Sequence, residues 1–432
     1  MSNYSPFSNQ ARFTQHVGLE RITKLCHLLG DPQFHFRAIH VAGTNGKGST
    51  CAFIASILQS NGYRVGLFTS PHLVDYRERF RINGQMIAPD ELERIAADVQ
   101  HAMAQVVQSY PEYGSFTEFE ATTALGFVYF AQQQVDFAVI EVGLGGRLDA
   151  TNIVHPLLSV ITPIGHDHLE RLGPTLEDVA REKAGIIKPG VPVVSSGQVP
   201  EVAHIIQMTA AKQHAPYYGL SEAKWQPINW DLKGGLLQYP YFGQEPFSIR
   251  LLGSHQLENA ATALLSMEVL AQKGIALQPK LIRQGLLTAT WPGRLQVISH
   301  NPLVLLDGAH NREGILALAS ALSMLKGTEQ KITFIIGLSA HKEPELLDPL
   351  FPLAQQIYFT EARNYRVGVV PAQQLCAYAQ SKGLSAQVIA LEEVKNVLKG
   401  TGPFCICGSL YLVGDVQALL SQGNKGVLQL DV

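Results

Sequence analysis

The sequence predicts an α/β fold built from a larger, doubly wound N-terminal domain and a smaller, Rossmann-like C-terminal domain. Short apolar segments alternate with amphipathic helical segments along most of the 432 residues. Several apolar segments are nearly continuous, such as FAVIEV (137–142) and LLSVI (157–161), which is typical of parallel strands buried on both faces. A chain of this length also favours two or three domains over one.

The same alternation gives the individual elements. Residues 47–60 and 255–271 are predicted to be helices because their apolar residues recur at intervals of three and four. Strands are predicted at 37–42, 64–68, 136–142, 157–162, 191–195, 303–306, 331–336 and 403–407.

Two segments define the domain organisation. Residues 216–250 are rich in Trp and Tyr and are punctuated by Gly and Pro, which predicts a small antiparallel insertion. Pro292 and Gly293 then interrupt a helical pattern, and a new strand–helix alternation follows. We therefore predict domains at 1–295 and 296–432.

Composition excludes several classes of protein. Hydrophobic residues make up 46% and charged residues 16% of the chain, and the net charge is −3, so no basic excess favours nucleic acid or a membrane surface. Five cysteines without a regular spacing indicate a reducing compartment. The polar N-terminus lacks the apolar core of a signal peptide, and no apolar run reaches about 18 residues. We expect a monomeric cytoplasmic protein with no membrane or nucleic-acid partner.

A glycine-rich loop, GTNGKGST, separates the first predicted strand from the helix at 47–60. Its glycines allow a close approach to a ligand, and its successive N–H groups are expected to face an anion at the helix N-terminus. Lys47 can reach the β- and γ-phosphates of a nucleotide. The loop departs from the general P-loop pattern at Val41 and Gly48, and a structural turn is the alternative. The predicted phosphate-binding residues are Gly43, Thr44, Asn45, Gly46, Lys47, Gly48, Ser49 and Thr50, and the N-terminal domain is predicted to contain a P-loop.

Two further strands end in polar residues. Glu141 ends the strand of FAVIEV, where a carboxylate would point into the ligand crevice of an open α/β sheet. Its structural alternative is an ion pair with Arg147. His166, Asp167 and His168 follow the next strand and are either a metal site or an incidental pair of histidines. Mg²⁺ prefers oxygen ligands, so a histidine would be an unusual ligand for it.

The remaining polar positions allow more than one interpretation. Lys183 lies within a predicted helix, where lysine is normally a solvated charge. Asp307 follows a strand and can accept from a ribose hydroxyl, whereas Asp307 and Asn311 can equally cap a turn and a helix. Cys405 and Cys407 lie in an apolar strand and are predicted to be buried thiols rather than metal ligands.

Taken together, the motifs resemble those of the folylpolyglutamate synthase/dihydrofolate synthase family, within the Mur-ligase group of amide ligases. The resemblance covers nearly the whole chain. The motifs GTNGKGS, TSPHL, EVGLGGRLDATN, HDH, REKAGI, HQLENA, WPGR and DGAHN occur in this order over about residues 40–315.

The resemblance implies a role for each matched residue. Residues 43–50 would bind the ATP phosphates, so the N-terminal domain would be an ATPase domain. Lys47, Glu141, His168 and Lys183 would be catalytic. Lys183 matches the lysine that is carbamylated in this group, which implies that it is buried and has a lowered pKa. Two Mg²⁺ sites would draw on Ser49, Ser70, Glu141 and His168. Asn259 would contact adenine, Arg294 the phosphates, and Asp307 and His310 the nucleotide from the C-terminal domain. The folate-binding residues would be Pro71, His72, Arg79, Phe119 and Asp149. Asp75, which is basic or variable in some relatives, leaves the pterin contacts of its loop open.

The implied reaction is ATP-dependent addition of L-glutamate to dihydropteroate and to tetrahydrofolate through an acyl phosphate. The SPHLVDYRERFRING segment favours the bifunctional bacterial type. Three alternatives remain: a monofunctional folylpolyglutamate synthase, a Mur-type peptidoglycan ligase, and a P-loop switch without ligase activity.

Overall fold

A computed structural model describes residues 5–11, 18–325, 331–363 and 368–421, and it divides the chain into two compact units. Unit 1 consists of Met1–Asn229, Leu236–Arg250 and Gln256–Thr290. Unit 2 consists of Trp230–Gly235, Leu251–His255 and Trp291–Val432. Two short segments that precede residue 291 thus belong to unit 2, which the predicted division at residue 295 does not anticipate.

Unit 1 contains an eight-stranded sheet in the order β4-β3-β2-β5-β1-β6-β7-β8. At one edge, β3 pairs antiparallel with both β2 and β4, and the other neighbouring strands pair in parallel. The strands are β1 Arg37–Ala42, β2 Val65–Phe68, β3 Phe80–Ile82, β4 Gln85–Met86, β5 Phe137–Glu141, β6 Leu158–Ile161, β7 Val193–Ser195 and β8 Tyr217–Gly219. The helices that follow or flank them are α1 Glu20–Leu28, α2 Lys47–Ser60, α3 Pro89–Ser109, α4 Glu118–Gln132, α5 Leu169–Leu172, α6 Leu176–Ala184, α7 Pro200–Lys212, α8 Ser254–Gln272 and α9 Pro279–Thr288.

The order of the central strands positions the site. Strand β1 pairs in parallel with β5 on one side and with β6 on the other. The carboxyl ends of β5, β1 and β6 therefore meet at one edge, where open α/β sheets bind ligands. The predicted strands in this region and the helix at 47–60 are confirmed. The strands were predictable because long apolar runs of this kind have few other stable arrangements.

Helix α2 is buried more extensively than its predicted single apolar face requires. Ala52, Phe53 and Ile57 are also buried. Helix α9 packs against α2 at Gly285, where an added Cβ would lie 2.5 Å from the Cα of Ile57, and the Ser56 hydroxyl donates to the Gly285 carbonyl at 2.7 Å.

The predicted insertion at 216–250 begins later than expected. Residues 217–219 form β8, which extends the parallel sheet by pairing with β7. The antiparallel sheet consists of β9 Gln226–Asp231, β10 Gly234–Gln238 and β11 Phe247–Ile249.

Unit 2 is a six-stranded sheet in the order β12-β13-β17-β14-β15-β16, parallel apart from β12. Its core includes Leu305, Phe334, Ile336 and Cys405. Its elements are β12 Gln296–His300, β13 Leu303–Leu306, α10 Arg312–Leu325, β14 Ile332–Ile336, β15 Ala354–Phe359, α11 Ala372–Ser381, β16 Ala386–Val388, α12 Val394–Val397, β17 Phe404–Cys407 and α13 Leu410–Ser421.

The five cysteines are buried free thiols, as predicted for Cys405 and Cys407. Among the described helices, none combines the length and the apolar character needed to cross a bilayer.

Candidate active site

Two glycines allow the loop between β1 and α2 to pack against its neighbours. Gly43 has φ 148°, and an added Cβ would lie 1.8 Å from the Thr162 hydroxyl oxygen. Gly46 has φ 83°, and an added Cβ would lie 2.3 Å from the amide oxygen of Asn259. Both positions therefore require glycine, and the second brings Asn259 of α8 onto the loop.

The loop is fixed to the segment that follows β6. The backbone N–H groups of Thr44 and Asn45 donate to the Pro163 carbonyl at 3.0 and 3.2 Å. The Thr44 hydroxyl donates to the Gly165 carbonyl at 3.1 Å and accepts from the Gly165 N–H at 3.0 Å. The expectation that all successive loop amides face an anion is therefore wrong for Thr44 and Asn45, whose N–H groups hold the loop in place.

The first turn of α2 retains the features of an anion site. N–H groups in the first turn of a helix have no partner within the helix. Ser49 and Thr50 are buried in this turn. The Thr50 N–H already donates to the Gly46 carbonyl at 2.9 Å, whereas the Thr50 hydroxyl has no hydrogen-bond partner among the described residues. The loop groups that could face an anion therefore lie from Gly46 onward.

Two lysines converge on one carbonyl of this loop. The amine of Lys47 donates to the carbonyls of Gly43 and Thr44, each at 3.1 Å. The amine of Lys183 donates to the same Gly43 carbonyl at 2.7 Å. Burial and the charge of Lys47 lower the pKa of Lys183 to about 7, against the opposing effects of Asp167 and Asp149. The Lys183 amine is therefore largely neutral at a pH only slightly above neutrality.

Lys183 is not the solvated charge that a helical lysine normally is, and its burial agrees with what the resemblance implies. It is the penultimate residue of α6 and is only 5% exposed. The turn after β5 covers it: an added Cβ on Gly146 would lie 2.6 Å from the Glu182 carbonyl and 3.0 Å from the Lys183 Cα. The Arg147 N–H donates to the Glu182 carbonyl at 2.7 Å. Contacts from a distant part of the chain thus bury this amine.

Glu141 is buried at the end of β5 and accepts from the backbone N–H of Ser70 at 3.1 Å. The structural alternative, an ion pair with Arg147, is wrong because Arg147 pairs with Glu182 at 2.7 Å. Glu141 also acts electrostatically on Cys51 of α2, as does Lys47. The structure therefore brings the predicted metal ligands Glu141 and Ser70 together.

His168 has a left-handed backbone, with φ 54°, and its side chain is 47% exposed. Its ring lies 3.5 Å from Glu170 and 4.0 Å from Asp167. Within the described part of the chain, no three His, Cys, Asp or Glu residues form a group that could hold a metal ion. A metal shell here would therefore draw on hydroxyl oxygens as well as on Glu141.

One carboxylate organises the loop at 70–80. Glu78 accepts from the backbone N–H groups of Leu73, Val74 and Asp75 at 3.0, 2.9 and 2.8 Å. Asp75 in turn pairs with Arg77 at 2.6 Å. Asp75 thus has a structural partner within its own loop.

Three of the predicted folate-binding residues lie in this loop. Arg79 donates from Nε to the Nδ1 of His72 at 2.9 Å, and its guanidinium lies 5.4 Å from the centre of the Tyr76 ring. Pro71 is exposed beside the buried His72. The loop therefore holds the Arg79 guanidinium and the His72 imidazole next to each other, and the guanidinium lies over the buried ring of Tyr76.

Phe119 lies in the first turn of α4. An added Cβ on Gly143 would lie 2.4 Å from the tip of its ring, so Phe119 covers the backbone just after β5. The same turn is fixed by a buried ion pair, in which the Arg21 guanidinium donates to both carboxylate oxygens of Glu120, at 2.9 and 2.7 Å. Glu120 also completes the capping box with Thr117.

Asp149 is buried and organises the turn after β5. Its carboxylate accepts from the backbone N–H groups of Leu144 and Thr151 at 2.9 and 3.0 Å, and from the Thr151 hydroxyl. Burial raises the pKa of Asp149, and these hydrogen bonds oppose that effect. Asp149 therefore holds the shape of the turn.

The predicted nucleotide residues of unit 2 form a group of their own. Asp307 accepts from the N–H groups of Leu295 and Ala309 at 2.7 and 2.8 Å, so the turn-capping interpretation is confirmed. An added Cβ on Gly308 would lie 2.5 Å from the Arg294 guanidinium, and His310 donates from Nδ1 to the Gly308 carbonyl at 2.8 Å.

Asn311 caps α10 by accepting from the Gly314 N–H at 2.9 Å, which confirms its capping role. His255 begins the HQLENA motif, but the resemblance implied no role for it. It is half-buried in unit 2, with its Nδ1 buried. Desolvation lowers the pKa of His255, with Asp307 opposing and Arg294 reinforcing the effect. The motifs also did not identify Arg21, Glu78 and Glu120. Glu78 and Glu120 lie in the local D-x-x-E and T-x-x-E spacing of a capping box, which could have indicated them. Arg21 acts through a contact with Glu120 that no local pattern contains.

Comparison with known proteins adds independent information. Residues 41–267 match the family model of the Mur ligase middle domain, and residues 294–420 match that of the dihydrofolate synthetase C-terminal domain. The chain is 38% identical to a dihydrofolate synthase/folylpolyglutamate synthase of Bacillus subtilis, over 95% of this chain and 96% of that protein.

Solved structures agree with this similarity. Mycobacterium tuberculosis folylpolyglutamate synthase complexed with ADP and AMPPCP superposes with a TM-score of 0.85 at 29% identity, covering 95% of this chain and 96% of that one. A folylpolyglutamate synthase complex with AMPPCP and folate gives a TM-score of 0.82 at 34% identity, covering 96% and 98%.

Proposed function

The chain belongs to the dihydrofolate synthase/folylpolyglutamate synthase family of Mur ligases, and from this premise we propose that it is an ATP-dependent ligase that joins L-glutamate to dihydropteroate and to folates. The observation that carries the proposal is the convergence of Lys47 and Lys183 on the P-loop carbonyl of Gly43, beside a turn that begins at Glu141. We also propose that the protein is a monomer. Its five free thiols are in keeping with a cytoplasmic location, which we propose as well.

The proposed nucleotide site uses the loop Gly43–Thr50 for the phosphates. The buried first turn of α2 and the amine of Lys47 provide positive potential for them. The contact of Asn259 with Gly46 supports its proposed role beside the adenine. Arg294, Asp307 and His310 are also proposed to bind the nucleotide. The ADP and AMPPCP complexes of the solved relatives support ATP as the nucleotide substrate.

The donor set near the loop is suited to Mg²⁺, which prefers oxygen ligands. Ser49, Ser70 and Glu141 supply two hydroxyls and a carboxylate. The hydrogen bond from the backbone N–H of Ser70 to the Glu141 carboxylate, at 3.1 Å, brings these two residues together and supports a shared site. His168 is proposed as a further ligand, giving two sites in all. Bound Mg²⁺ would neutralise charge on the phosphates during phosphoryl transfer.

Lys183 is proposed to be carbamylated. Carbamylation requires a neutral amine to attack CO₂, and the burial of Lys183 lowers its pKa to about 7, which supplies that form. The product is a carboxylate next to Lys47. This modification would convert a repulsive pair of cations into an attractive pair of opposite charge.

The acceptor site is proposed to lie between the 70–80 loop and the turn after β5. Pro71, His72 and Arg79 would contact the acceptor from the loop, and Phe119 and Asp149 from the other side. The packing of Phe119 on Gly143 supports this arrangement, because it places an aromatic surface beside Glu141. The folate complex of a solved relative supports the choice of ligand class.

The chemistry follows from the poor leaving group of a carboxylate, which an amine does not displace at neutral pH. An acceptor carboxylate oxygen attacks the γ-phosphorus of ATP, which releases ADP and forms an acyl phosphate. The amine of L-glutamate then attacks the acyl carbon, loses a proton and expels phosphate, which leaves the amide. Lys47 would stabilise the charge on the transferring phosphoryl group.

The proposal is tested by the substrate dependence of ADP release. Purified protein is incubated with ATP, Mg²⁺ and L-glutamate, and with dihydropteroate, tetrahydrofolate or a UDP-muramyl peptide in turn. We expect ADP release with both pterin-containing acceptors and only in the presence of glutamate. Turnover of tetrahydrofolate alone would identify a monofunctional folylpolyglutamate synthase. Turnover of the muramyl peptide alone would overturn the proposal.

A further inference from the structure

Three buried side chains connect the central strand of unit 1 to the turn after β5. His40 lies in β1, and its Nε2 is 2.8 Å from the hydroxyl oxygen of Thr151. That hydroxyl also contacts the carboxylate of Asp149. His40 and Thr151 are fully buried, and Asp149 is 6% exposed. Neither His40 nor Thr151 has a role in the reaction as proposed above.

The hydrogen bonds that join His40, Thr151 and Asp149 have a defined direction. Asp149 accepts from the N–H groups of Leu144 and Thr151, which stabilises its ionised form. The single hydroxyl hydrogen of Thr151 is therefore donated to Asp149, and the Thr151 oxygen accepts from His40. His40 must then carry its hydrogen on Nε2.

The surroundings of His40 agree with that tautomer. Its Nδ1 is buried and has no hydrogen-bond partner among the residues that the structure describes. A hydrogen on Nδ1 would be a buried donor without an acceptor, which is costly. Burial, followed by the charge of Lys188, also lowers the pKa of His40 to about 3, so the ring is neutral.

The backbone of β1 holds His40 in place. His40 pairs with Ile140 of β5 on one side and with Ser159 of β6 on the other. A ring fixed in the centre of a sheet is a rigid support for the more irregular turn that contains Asp149. That turn includes Gly146, which packs on the Lys183 backbone.

We propose that His40 and Thr151 are positioning residues for the acceptor: His40 orients the Thr151 hydroxyl, and that hydroxyl holds Asp149 and the turn after β5 in the conformation that binds the acceptor. The inference rests on the proposed function, because it takes this turn to be part of the acceptor site. His40 and Thr151 thus join the residues proposed for the acceptor site, and both act through the Thr151 hydroxyl.

The P-loop is held by a different set of bonds. Thr44 and Asn45 donate to Pro163, and Thr44 also bonds to Gly165. Loss of the Thr151 hydroxyl leaves all of these bonds intact. A defect in positioning should therefore raise the KM for the acceptor and leave the KM for ATP almost unchanged.

The test compares steady-state constants of wild type, Thr151→Val, Thr151→Ser, His40→Phe and the double variant, with tetrahydrofolate as the acceptor. We expect Thr151→Val and His40→Phe each to raise the KM for tetrahydrofolate about tenfold, with the KM for ATP changed less than about twofold. Because both act through one hydroxyl, the double variant should be no worse than Thr151→Val. Thr151→Ser keeps the hydroxyl and should restore the wild-type KM.

Ser159→Ala is the matched control. Its hydroxyl is also fully buried, in the strand beside His40, and donates to the Ile186 carbonyl at 3.1 Å. Loss of this bond removes a comparable buried contact without touching Asp149. The control should therefore leave the KM for tetrahydrofolate unchanged, which separates positioning from a general loss of stability.

The outcomes distinguish this inference from the proposed function. A wild-type protein that releases no ADP with any pterin acceptor overturns the proposed function. An active wild type whose Thr151→Val variant is unaltered, or whose two single effects multiply in the double variant, overturns the positioning role alone. The ¹⁵N spectrum of His40 gives a readout independent of activity: it should show the Nε2–H tautomer from about pH 5 to 8, and an Nδ1–H tautomer would contradict the proposed direction.

Discussion

The amine of Lys183 donates a 2.7 Å hydrogen bond to the carbonyl of Gly43, the first residue of the P-loop. The two residues belong to different elements, α6 and the loop after β1. The same carbonyl accepts from Lys47 at 3.1 Å. A buried amine next to a second cation has a strong tendency to be neutral. This relationship underlies the proposal that Lys183 reacts with CO₂.

Replacement of Lys183 by alanine should lower kcat by at least about 100-fold, since it removes a charged group next to the transferring phosphoryl group. A small carboxylic acid such as acetate should restore part of the activity, because it supplies the missing carboxylate. The matched control is Lys188→Ala, whose amine donates to the Asn152 carbonyl at 2.8 Å. That variant should retain most of its turnover. Unchanged turnover in Lys183→Ala would exclude the carbamate.

Carbamylation of Lys183 should depend on pH in a defined direction. Burial, followed by the charge of Lys47, lowers the pKa of Lys183 to about 7, and only the neutral amine attacks CO₂. At a constant concentration of dissolved CO₂, the rate of reactivation after CO₂ depletion should therefore increase about tenfold per pH unit as the pH is raised towards 7, and it should level off above about pH 8. Stopped-time assays in buffers equilibrated with the same partial pressure of CO₂ measure this rate. A rate that still rises steeply above pH 9 would indicate an ordinary lysine.

The sequence predicted the fold well because its signals are local. Continuous apolar runs such as those of β5 and β6 have few alternatives to buried parallel strands, and the glycines at 43 and 46 mark a turn between a strand and a helix. The burial of Lys183 was not predictable from local signals. Nothing in REKAGI indicates burial, because the covering contacts come from Gly146 and Arg147 in a distant turn.

The placement of strand β8 has the same origin. It has only three residues, two of them Tyr, so its composition matches the aromatic insertion although the strand pairs with the parallel sheet. Glu78 is different, because it receives three amides from its own loop and the D-x-x-E spacing of Asp75 and Glu78 is a local signal of a capping box. For Lys183 and β8 a tertiary contact decided the outcome, and for Lys183 the resemblance to relatives provided a substitute for it.

Gly43→Ala should disrupt the nucleotide site. The new Cβ would lie 1.8 Å from the Thr162 hydroxyl oxygen, so the loop or β6 must shift. We expect affinity for AMPPCP to fall at least about tenfold and the free energy of unfolding to fall by about 1–3 kcal/mol. In the control Gly62→Ala, the glycine also has a positive φ, 90°, but the new Cβ meets no atom within 4 Å, so the substitution should leave nucleotide binding intact. Calorimetric titration of both variants measures this, and equal affinities would contradict the packing argument.

Loss of the Arg21–Glu120 ion pair should destabilise unit 1. Arg21→Met leaves the Glu120 carboxylate buried without its partner, which typically costs about 3–5 kcal/mol. The exposed pair Arg94–Asp98, with side chains 53% and 56% exposed, supplies the control, and Arg94→Met should cost less than about 0.5 kcal/mol. Chemical denaturation measures both. Equal effects of the two substitutions would contradict a structural role for the buried pair.

The central claim is that ATP activates the carboxylate of a folate acceptor, and the fate of that carboxylate's oxygen tests it most directly. Tetrahydrofolate labelled with ¹⁸O in its terminal carboxylates is turned over with ATP, Mg²⁺ and L-glutamate, and the released phosphate is analysed by mass spectrometry. The account predicts that each phosphate carries one ¹⁸O, since the acceptor oxygen attacks the γ-phosphorus and leaves with it. Unlabelled phosphate accompanying the formation of the glutamyl amide would contradict the account.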